Sequence, residues 1–341
     1  MRTESVGGNE DEGIVDGGSG FVAINIAEAL LETGNKVVVY SCRPMPQEAA
    51  QELSTLPGEL RWAKGDVSDK QRLLDVLREE KIDYVVHAAA ITPGLARETE
   101  DMASVIRVNV LGTITTLEAA REHNVKRFVY VSSVAVYGDA SQNCDPVYES
   151  APKNPHTTYE LSKFATENLV RRYRELHGMD IVALRLGDVF GAWEYRTGVR
   201  DTLSVPYQCV KAALTGERVI LAKEACTGWV YGKDCGLAVA ALLTAAAPRH
   251  FAYNCGSVYR WSIRQWCELL KRHYNGFDFT VGNFENSTVR FHAVKDNGMF
   301  DMTRMREDTG FVPQFDLQKS FDHYIRWVDK YPHLTLEEPK R

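Results

Sequence analysis

The sequence predicts an open α/β fold: a doubly wound parallel sheet with helices on both faces, followed by a smaller C-terminal lobe. The first half of the chain alternates short β-branched runs with amphipathic stretches, which is the rhythm of successive βαβ units. Runs such as VVVY and FVYV are apolar without alternation, as strands buried on both faces of a parallel sheet should be. After about Gly187 this rhythm weakens and aromatic residues, Pro and Gly become denser, which indicates a second, mixed α/β lobe.

Six strands and four helices are predicted for the first half of the chain. The strands are expected at residues 13–16, 36–41, 60–63, 84–88, 127–132 and 181–186, and the helices at 22–33, 70–81, 102–124 and 158–177. A further strand at 251–255 is expected to return to the sheet. We therefore divide the chain into a sheet domain of residues 1–186, with returning segments near 229–256, and a substrate-binding lobe of residues 187–341.

Composition and charge exclude several classes of protein. The chain has 341 residues, of which 44% are hydrophobic and 25% charged, as in ordinary globular proteins. A formal net charge of −6 gives no electrostatic reason to expect nucleic acid or a membrane surface as a partner. The seven cysteines are odd in number and contain no CxxC pair, so we expect reduced thiols and neither a disulfide framework nor a metal site.

No targeting segment is predicted from the sequence. The opening residues, MRTESVGGNEDEG, are acidic and lack the apolar core of a signal peptide. The longest apolar stretch, 237–247, is too short to span a bilayer. We therefore expect a soluble cytoplasmic protein in which the acidic first dozen residues and the tail 336–341 are mobile.

A glycine-rich loop follows the first strand and opens the first helix. Gly17 and Gly20 of DGGSGFVA allow the backbone to turn tightly and approach a ligand, while the helix N-terminus offers free N–H groups to a pyrophosphate. The position of this loop at the head of a βαβ run predicts a Rossmann-type dinucleotide site. Asp16 is a departure, because an ionised carboxylate beside a pyrophosphate would repel it.

The end of the second strand indicates which dinucleotide the loop takes. An acid there usually binds the ribose hydroxyls of NAD, but this chain has Ser41, which does not repel a 2′-phosphate, and Arg43, which is suited to hold one. NADP is therefore favoured over NAD, with a solvated loop role for Arg43 as the alternative. Asp66 and Val67 follow the third strand, where the adenine edge would lie.

Tyr159 and Lys163 stand one helical turn apart on a predicted helix. A nearby ammonium lowers the pKa of a phenol, which can then exchange a proton with a substrate hydroxyl or carbonyl. Ser132 and Ser133 end a buried strand at the edge of the sheet where ligands bind in open α/β folds, and a serine there can orient the same substrate oxygen. The combination predicts proton transfer coupled to hydride transfer.

The order of these motifs resembles the extended short-chain dehydrogenase/reductase family, the NAD-dependent epimerase/dehydratase group. The motifs GGSGFVA, DV, HAAA, NVLGT, SSVAVYG, YELSK and LRLGDVFG span roughly residues 13–255. The resemblance implies Ser133, Tyr159 and Lys163 as catalytic residues, with Asn109 in support or, alternatively, as a buried polar residue of a helix. It also implies a homodimer in which the helices at 102–124 and 158–177 pair. The cofactor contacts that it implies are Gly17, Gly20, Phe21, Val22, Asp66, Val67, Ala88, Ala89, Ala90, Tyr159 and Lys163.

The region expected to meet the substrate departs from the nucleotide-sugar members of this family. Asp188 replaces an amide donor, an expected arginine falls at Thr227 or Gly228, and the late RxGD segment has no clear match. These losses of donors and cations point away from a diphosphate substrate.

Three residues just beyond the catalytic edge are candidates for substrate binding together with Ser133 and Asp188. Arg196 and Arg200 are suited to hold a carboxylate, although ion-paired loop arginines would look the same. Trp193 is suited to wall a pocket, although aromatic residues of a small lobe are more often core.

The sequence therefore predicts an NAD(P)-dependent oxidoreductase that interconverts a secondary alcohol and a ketone on a small polar substrate, sugar-derived or acidic. Tyr159 is the expected acid/base, Ser133 orients the reacting oxygen, and Lys163 assists the tyrosine and holds the cofactor ribose. Two alternatives stay open. One is a nucleotide-sugar 4-epimerase or dehydratase with transient hydride transfer, and the other is a non-catalytic dinucleotide-binding protein.

Overall fold

The computed structural model describes residues 12–336. The mobility expected at the two ends of the chain, and the acidic leader, fall on residues 1–11 and 337–341, outside the described residues. Within the described range, Glu12 begins the first strand and Leu336 ends the last helix.

Seven parallel strands form one central sheet. They are β1 Glu12–Asp16, β2 Lys36–Ser41, β3 Glu59–Lys64, β4 Tyr84–His87, β5 Arg127–Ser133, β6 Ile181–Leu186 and β11 Ala252–Cys255. Their order across the sheet is β3-β2-β1-β4-β5-β6-β11, and every neighbouring pair is parallel. The order reverses direction between β1 and β4, which is the point where ligands bind in doubly wound sheets.

Six short strands pair two by two outside this sheet. The pairs are β7 Val189–Phe190 with β10 Val230–Tyr231, β8 Val219–Leu221 with β13 Phe279–Val281, and β9 Cys226–Thr227 with β12 Trp261–Ser262.

Thirteen α-helices accompany the strands in the described part of the chain. In chain order they are α1 Phe21–Glu32, α2 Gln47–Leu53, α3 Lys70–Glu79, α4 Leu95–Glu100, α5 Met102–Ile106, α6 Thr113–His123, α7 Thr158–His177, α8 Val205–Thr215, α9 Gly232–Thr244, α10 Ile263–His273, α11 Thr303–Thr309, α12 Leu317–Lys330 and α13 Pro332–Leu336. A π-helical segment, Arg107–Gly112, joins α5 to α6.

The sheet is buried on both faces, as its uninterrupted apolar runs predict. Ile14 and Val15 of β1 are both 0% exposed, yet they belong to two different hydrophobic clusters because successive side chains of a strand point to opposite faces. Aromatic residues of the C-terminal half extend the hydrophobic cluster that contains Val15, and there Phe190 and Tyr324 pack against the indole of Trp266. This aromatic extension explains why the aromatic residues are dense after Gly187.

The predicted fold class is confirmed, and the six predicted strands lie within one residue of the observed bounds at each end. The strand expected at 251–255 is present as β11, paired in parallel with β6. The single helix predicted at 102–124 is wrong in one respect, because the π-helical segment interrupts it. There the buried Asn109 turns its side chain away from the helix to bond to Ile91, a contact that no local pattern encodes. Among residues 12–336, no helix combines the length and hydropathy that crossing a membrane requires.

Candidate active site

The glycine loop between β1 and α1 has the shape of a phosphate cradle. Gly17 has φ +66°, and a Cβ there would lie 2.7 Å from the backbone of Ala89, so the turn requires glycine. The Gly20 N–H donates to the carbonyl oxygen of Gly17 at 2.7 Å. No side chain within residues 12–336 caps α1, and its first turn carries no acid, so its leading N–H groups can receive an anion. The residues therefore fit a dinucleotide pyrophosphate.

Asp16, the last residue of β1, is fully buried and directs its carboxylate to the end of β4. Oδ1 accepts hydrogen bonds from the backbone N–H groups of Ala88 at 2.8 Å and Ala89 at 2.9 Å. Oδ2 lies 2.5 Å from Nδ1 of His87. The sequence suggests that this carboxylate lies beside the pyrophosphate and repels it. In the structure both carboxylate oxygens instead bond to the last residue of β4 and to the two residues that follow it.

Tyr159 lies in the first turn of α7, which a capping box of Thr157 and Glu160 begins. Its hydroxyl group lies close to the side chains of Ser133 and Thr92. Burial raises the pKa of Tyr159 above its ordinary value, and the neighbouring hydroxyl groups of Ser133 and Thr92 and the charge of Arg200 oppose that rise. The sequence predicts that the pKa of Tyr159 is lowered toward neutrality, and the structure gives the opposite direction. Burial raises this pKa by more than the groups that favour the phenolate lower it.

Lys163 follows one turn later and is 4% exposed. Its Nζ donates to the carbonyl oxygen of Val131 at 2.9 Å and lies 5.1 Å from the ring centroid of Tyr130. Burial lowers the pKa of Lys163 to about 8, and the negative charges of Asp16 and Glu167 oppose the shift. The ammonium is thus available near neutral pH but close to its titration point.

The two serines at the end of β5 have different surroundings. Ser133 is partly exposed to the cavity, and its Oγ accepts a hydrogen bond from the N–H of Ala135 at 3.1 Å. Ser132 is buried and donates to Glu167, which in turn holds Arg185 of β6 through contacts of 2.5 and 3.0 Å. Ser133 therefore has the position for substrate contact, and Ser132 belongs to a buried ionic network.

Asn109 connects the π-helical segment to two neighbouring elements. Its Oδ1 accepts from the N–H of Ile91 at 2.8 Å, and its Nδ2 donates to the carbonyl oxygen of Ile91 and to Oγ of Ser162, each at 3.0 Å. The side chain is 2% exposed. This geometry fixes the chain after β4 against α7 and so suits a supporting role.

The expected adenosine end of the site lies beyond the ends of β2 and β3. Ser41 is buried, donates to the carbonyl oxygen of Arg43 at 2.6 Å and accepts from Nε1 of Trp62 at 3.2 Å. Arg43 is exposed. Asp66 accepts from the N–H and Oγ of Ser68 at 2.8 and 2.6 Å, and these bonds lower the pKa of its carboxyl group.

One cavity of about 640 Å³ unites the glycine loop, the end of β5 and the start of α7. The sequence-predicted residues that line it are Gly17, Gly20, Phe21, Val22, Ala88, Ala90, Ser133, Tyr159, Lys163, Asp188 and Arg200. The other site residues predicted from the sequence do not line this cavity, as far as it is formed by residues 12–336: Ser41, Arg43, Asp66, Val67, Ala89, Asn109, Trp193 and Arg196.

Two of those residues have positions that do not suit the substrate contacts proposed from the sequence. Trp193 is 2% exposed and packs against Trp327 and Tyr331, with both ring-centroid distances 5.6 Å, so it is part of the core. Arg196 is exposed and outside the cavity lining described for residues 12–336. We therefore do not retain either residue as a substrate ligand.

Arg200 lines the cavity and is held by three groups. Its Nη1 lies 3.2 Å from the buried carboxylate of Glu194, Nε donates to the carbonyl oxygen of Thr202 at 3.2 Å, and Nη2 donates to that of Val189 at 3.3 Å. These contacts leave N–H groups of the guanidinium for a ligand. Because the carboxylate of Glu194 neutralises much of the positive charge of Arg200, this arginine is better suited to bind a polar oxygen than to neutralise a dianion.

Sequence reasoning missed several residues of the cavity wall. Thr92 lies after β4 at the same sheet edge as the serines, and its backbone pairs with the 199–201 segment. Tyr195 donates its hydroxyl hydrogen to the carbonyl oxygen of Ser19 in the glycine loop. Of these, only Thr92 carried a signal, namely a hydroxyl just beyond a buried strand.

The far end of the cavity contains charged residues from the C-terminal half of the chain. Lys223 and Asp296 form an ion pair of 2.7 Å, and Nδ2 of Asn297 lies 3.4 Å from Oδ2 of Asp188. Burial raises the pKa of Asp188 above its ordinary value. This end presents one ion pair, hydrogen-bonding groups and the exposed cation Lys295.

Comparisons with known proteins agree with this geometry. A model described as the NAD dependent epimerase/dehydratase family matches residues 14–256. A UDP-glucose 4-epimerase of Streptomyces lividans is 29% identical over 282 residues, which cover 76% of this chain and 80% of that protein.

Two solved structures have the same overall fold. The UDP-glucose 4-epimerase of Thermotoga maritima with UDP-glucose has a TM-score of 0.79 at 21% identity, covering 94% of this chain and 99% of its own. The UDP-glucose 4-epimerase of Bifidobacterium longum in complex with NAD+ and UDP has a TM-score of 0.78 at 19% identity, with the same coverage of 94% and 99%. At these identities the likeness shows the fold alone.

Proposed function

Because this chain belongs to the NAD-dependent epimerase/dehydratase family, and so to the enzymes of the extended short-chain dehydrogenase/reductase type, we propose that it interconverts a secondary alcohol and a ketone by hydride transfer. The bound dinucleotide supplies the nicotinamide carbon that gives or takes the hydride. The observation that carries this proposal is that Ser133, Tyr159 and Lys163 line the same cavity as the glycine loop. A phenol and a serine hydroxyl that converge on one point can bind a single substrate oxygen.

The chain's own residues divide the work of the reaction. Tyr159 exchanges the proton of the substrate oxygen, and Ser133 and Thr92 hold that oxygen by hydrogen bonds. Lys163 supplies a positive charge behind the tyrosine and a donor for the cofactor ribose. Gly17 and Gly20, with the first turn of α1, hold the pyrophosphate.

The substrate in this proposal is a small polar molecule, sugar-derived or acidic. Support comes from the far end of the cavity, where Asp188 and Asn297 offer hydrogen bonds to hydroxyl groups and Lys223 is already paired with Asp296. Arg200 offers N–H groups for a carboxylate or hydroxyl oxygen, although Glu194 reduces its net charge. Lys295, which also lines the cavity, forms no ion pair within residues 12–336, and this single exposed cation would face the two negative charges of a diphosphate.

A nucleotide-sugar 4-epimerase or dehydratase is the second candidate. It is favoured by the match to a UDP-glucose 4-epimerase over most of both chains. The same Tyr159, Ser133 and Lys163 would serve that reaction, in which the hydride leaves the substrate and returns to it.

One experiment separates these candidates. The purified protein is incubated with NAD+ or NADP+ and a panel of alcohols, sugar acids, and UDP- and dTDP-sugars, while absorbance at the reduced-nicotinamide band and the sugar products are both followed. The first candidate predicts stoichiometric reduction of the cofactor with a nucleotide-free substrate. The second predicts conversion of a nucleotide-sugar without net reduction, and binding of cofactor without any conversion would contradict both.

We propose NADP as the preferred cofactor, with NAD as the alternative. Ser41 leaves the end of β2 without a carboxylate, and the exposed Arg43 is two residues further along. A 2′-phosphate would therefore meet a cation and no acid at this position.

We further propose a homodimer, built on the helices α5, α6 and α7, and a division into residues 1–186 and 187–341. Support for the dimer comes from large apolar side chains that α5, the π-helical segment and α7 expose: Met102, Ile106, Leu111, Leu161, Leu169 and Leu176.

A further inference from the structure

Asp16 sits in a row of side chains that crosses the sheet toward the catalytic lysine. In the register of the sheet Asp16 is beside His87 of β4, and His87 is beside Tyr130 of β5. The rings of His87 and Tyr130 stack at 6.1 Å with an interplanar angle of 18°. Nζ of Lys163 lies 5.1 Å from the centroid of the Tyr130 ring. The row therefore runs from a carboxylate on β1 to an ammonium on α7 across two aromatic rings.

This carboxylate also fixes a wall of the cofactor cavity. The N–H groups of Ala88 and Ala89, which bond to Oδ1 of Asp16, belong to the segment that follows β4. Ala88 lines the cavity, and the backbone of Ala89 is the group against which Gly17 is packed. Asp16 thus sets the position of the wall relative to the glycine loop without itself lining the cavity described for residues 12–336.

The charges around Lys163 single out Asp16 as its counter-charge. The titratable groups that face the lysine are Asp16 from β1, His87 from β4, Tyr130 from β5, and Tyr159 and Glu167 from α7. Two of them, Asp16 first and Glu167 second, raise the pKa of Lys163 against the effect of burial. The charge of Glu167 is already compensated by Arg185, which contacts it at 2.5 Å. Among residues 12–336 no lysine or arginine contacts Asp16, whose partners are two backbone N–H groups and the imidazole of His87.

We propose that Asp16 is a positioning residue of the hydride-transfer site, which holds the Ala88–Ala90 wall in place and acts through the His87–Tyr130 row as the counter-charge of the buried Lys163 ammonium. This proposal rests on the proposed function of Lys163 as the positive group of the site. The proposal thus assigns a role to Asp16, the residue in which the loop departs from an ordinary phosphate loop.

The variant Asp16→Asn removes the charge while the hydrogen bonds can be kept. The amide oxygen replaces Oδ1 as acceptor for Ala88 and Ala89, and the amide nitrogen donates to Nδ1 of His87. His87 then carries its proton on Nε2, which lies 2.8 Å from Oγ1 of Thr113, a hydroxyl that can accept. A change in this variant therefore reports the charge and not a lost contact.

The measurement is the dissociation constant of the reduced dinucleotide, titrated by its fluorescence between pH 6 and pH 10. Binding should weaken as Lys163 loses its proton, and Asp16→Asn should move the midpoint of that loss to lower pH by about half a unit or more. At pH 6 its affinity should equal or exceed that of the unaltered protein, since a negative charge near the anionic ligand is gone.

The matched control is Asp234→Asn. Asp234 is equally buried and accepts from the N–H groups of Gln314 and Phe315 at 2.8 and 3.1 Å, but it does not line the cavity described for residues 12–336. Its midpoint should stay at that of the unaltered protein. An Asp16→Asn protein whose midpoint also stays there, or that is folded yet binds no cofactor at pH 6, would overturn the proposal.

Two provisions keep the test decisive. If Asp16→Asn does not fold, Asp16→Ser keeps a hydroxyl acceptor for the wall and should give the same lower midpoint, and an unchanged midpoint in that variant overturns the proposal. The binding titration needs no substrate, so a failure of the proposed reaction in the substrate panel is distinguished from a failure of the role assigned to Asp16.

Discussion

Lys163 lies four residues after Tyr159 on α7, and its ammonium donates to the carbonyl oxygen of Val131 at 2.9 Å while the Tyr159 hydroxyl lies close to Ser133. Both partners belong to the C-terminal end of β5. The end of one buried strand thus fixes the two reactive groups of the helix. The arrangement separates the acid/base from its positive neighbour and leaves the lysine near the edge where a cofactor ribose would bind.

Replacement of the buried Lys163 should raise the stability of the folded protein and lower its activity. Burial lowers the pKa of Lys163 to about 8 from an ordinary value of 10.5, so the unfolded chain binds more protons between these values. Holding the charged lysine therefore costs stability below pH 8, and the cost disappears as the pH rises toward 10.5. Lys163→Met should gain about 1–2 kcal/mol at pH 7 and lose turnover by about 100-fold or more.

Urea unfolding of the unaltered protein and of Lys163→Met at pH 7 and pH 10, together with kcat, measures both effects. The stability gain should be largest at pH 7 and shrink at pH 10. A Lys163→Met protein that is less stable than the unaltered one at pH 7 would contradict the account of burial.

A side chain at the first glycine of the loop should weaken cofactor binding. In Gly17→Ala the new Cβ would lie 2.7 Å from the backbone of Ala89 at a φ of +66°, so the loop must move away from the wall. We expect the dissociation constant of the dinucleotide to rise about tenfold or more, with a loss of about 1–2 kcal/mol in stability.

The control for this substitution is Gly34→Ala. Gly34 has a φ of +85°, and no described atom lies within 4 Å of the position that a Cβ would take, so this residue carries the backbone strain without the clash. The variant should lose a similar amount of stability and bind cofactor normally. Equal cofactor affinities in the two variants would show that the approach of Gly17 to Ala89 is irrelevant to binding.

Cofactor choice should depend on the two residues at the end of β2. Arg43→Ala should weaken NADPH binding about tenfold and leave NADH binding within about twofold, because only NADPH carries the 2′-phosphate. Ser41→Asp should also weaken NADPH binding more than NADH binding, since it places an acid beside the 2′-phosphate. Fluorescence titrations with both reduced cofactors measure the ratio, and parallel losses for NADH and NADPH would sink the preference for NADP.

The sheet was predictable from sequence because its signal is local. Strand β2 contains the apolar run VVVY and β6 the run IVAL, and these runs place both strands along the chain. The approach of Tyr159 to Ser133 was predictable for a related reason: the edge of the sheet collects strand ends, so a strand-end serine and a helix-start tyrosine meet there.

Other features depend on partners far away in the chain. Asn109 of the π-helical segment bonds to Ile91, Trp193 packs against Trp327, and the carboxylate of Asp16 bonds to residues at the end of β4 and just beyond it. Each of these contacts joins segments whose approach is set by the packed fold, so no pattern near the residue reveals it.

In the proposed reaction, Tyr159 transfers the proton of the reacting oxygen. Tyr159→Phe removes one hydroxyl and keeps the ring, and the control Tyr173→Phe removes the hydroxyl of another α7 tyrosine, which accepts from Arg121 at 2.9 Å. The direct test is kcat for the substrate identified by the panel, measured with the dissociation constant of the cofactor for all three proteins.

We expect Tyr159→Phe to lose about 100-fold or more in kcat while its cofactor affinity stays within about threefold, and Tyr173→Phe to keep both. Turnover by Tyr159→Phe within about threefold of the unaltered protein would contradict the assignment of the acid/base and, with it, the proposed reaction.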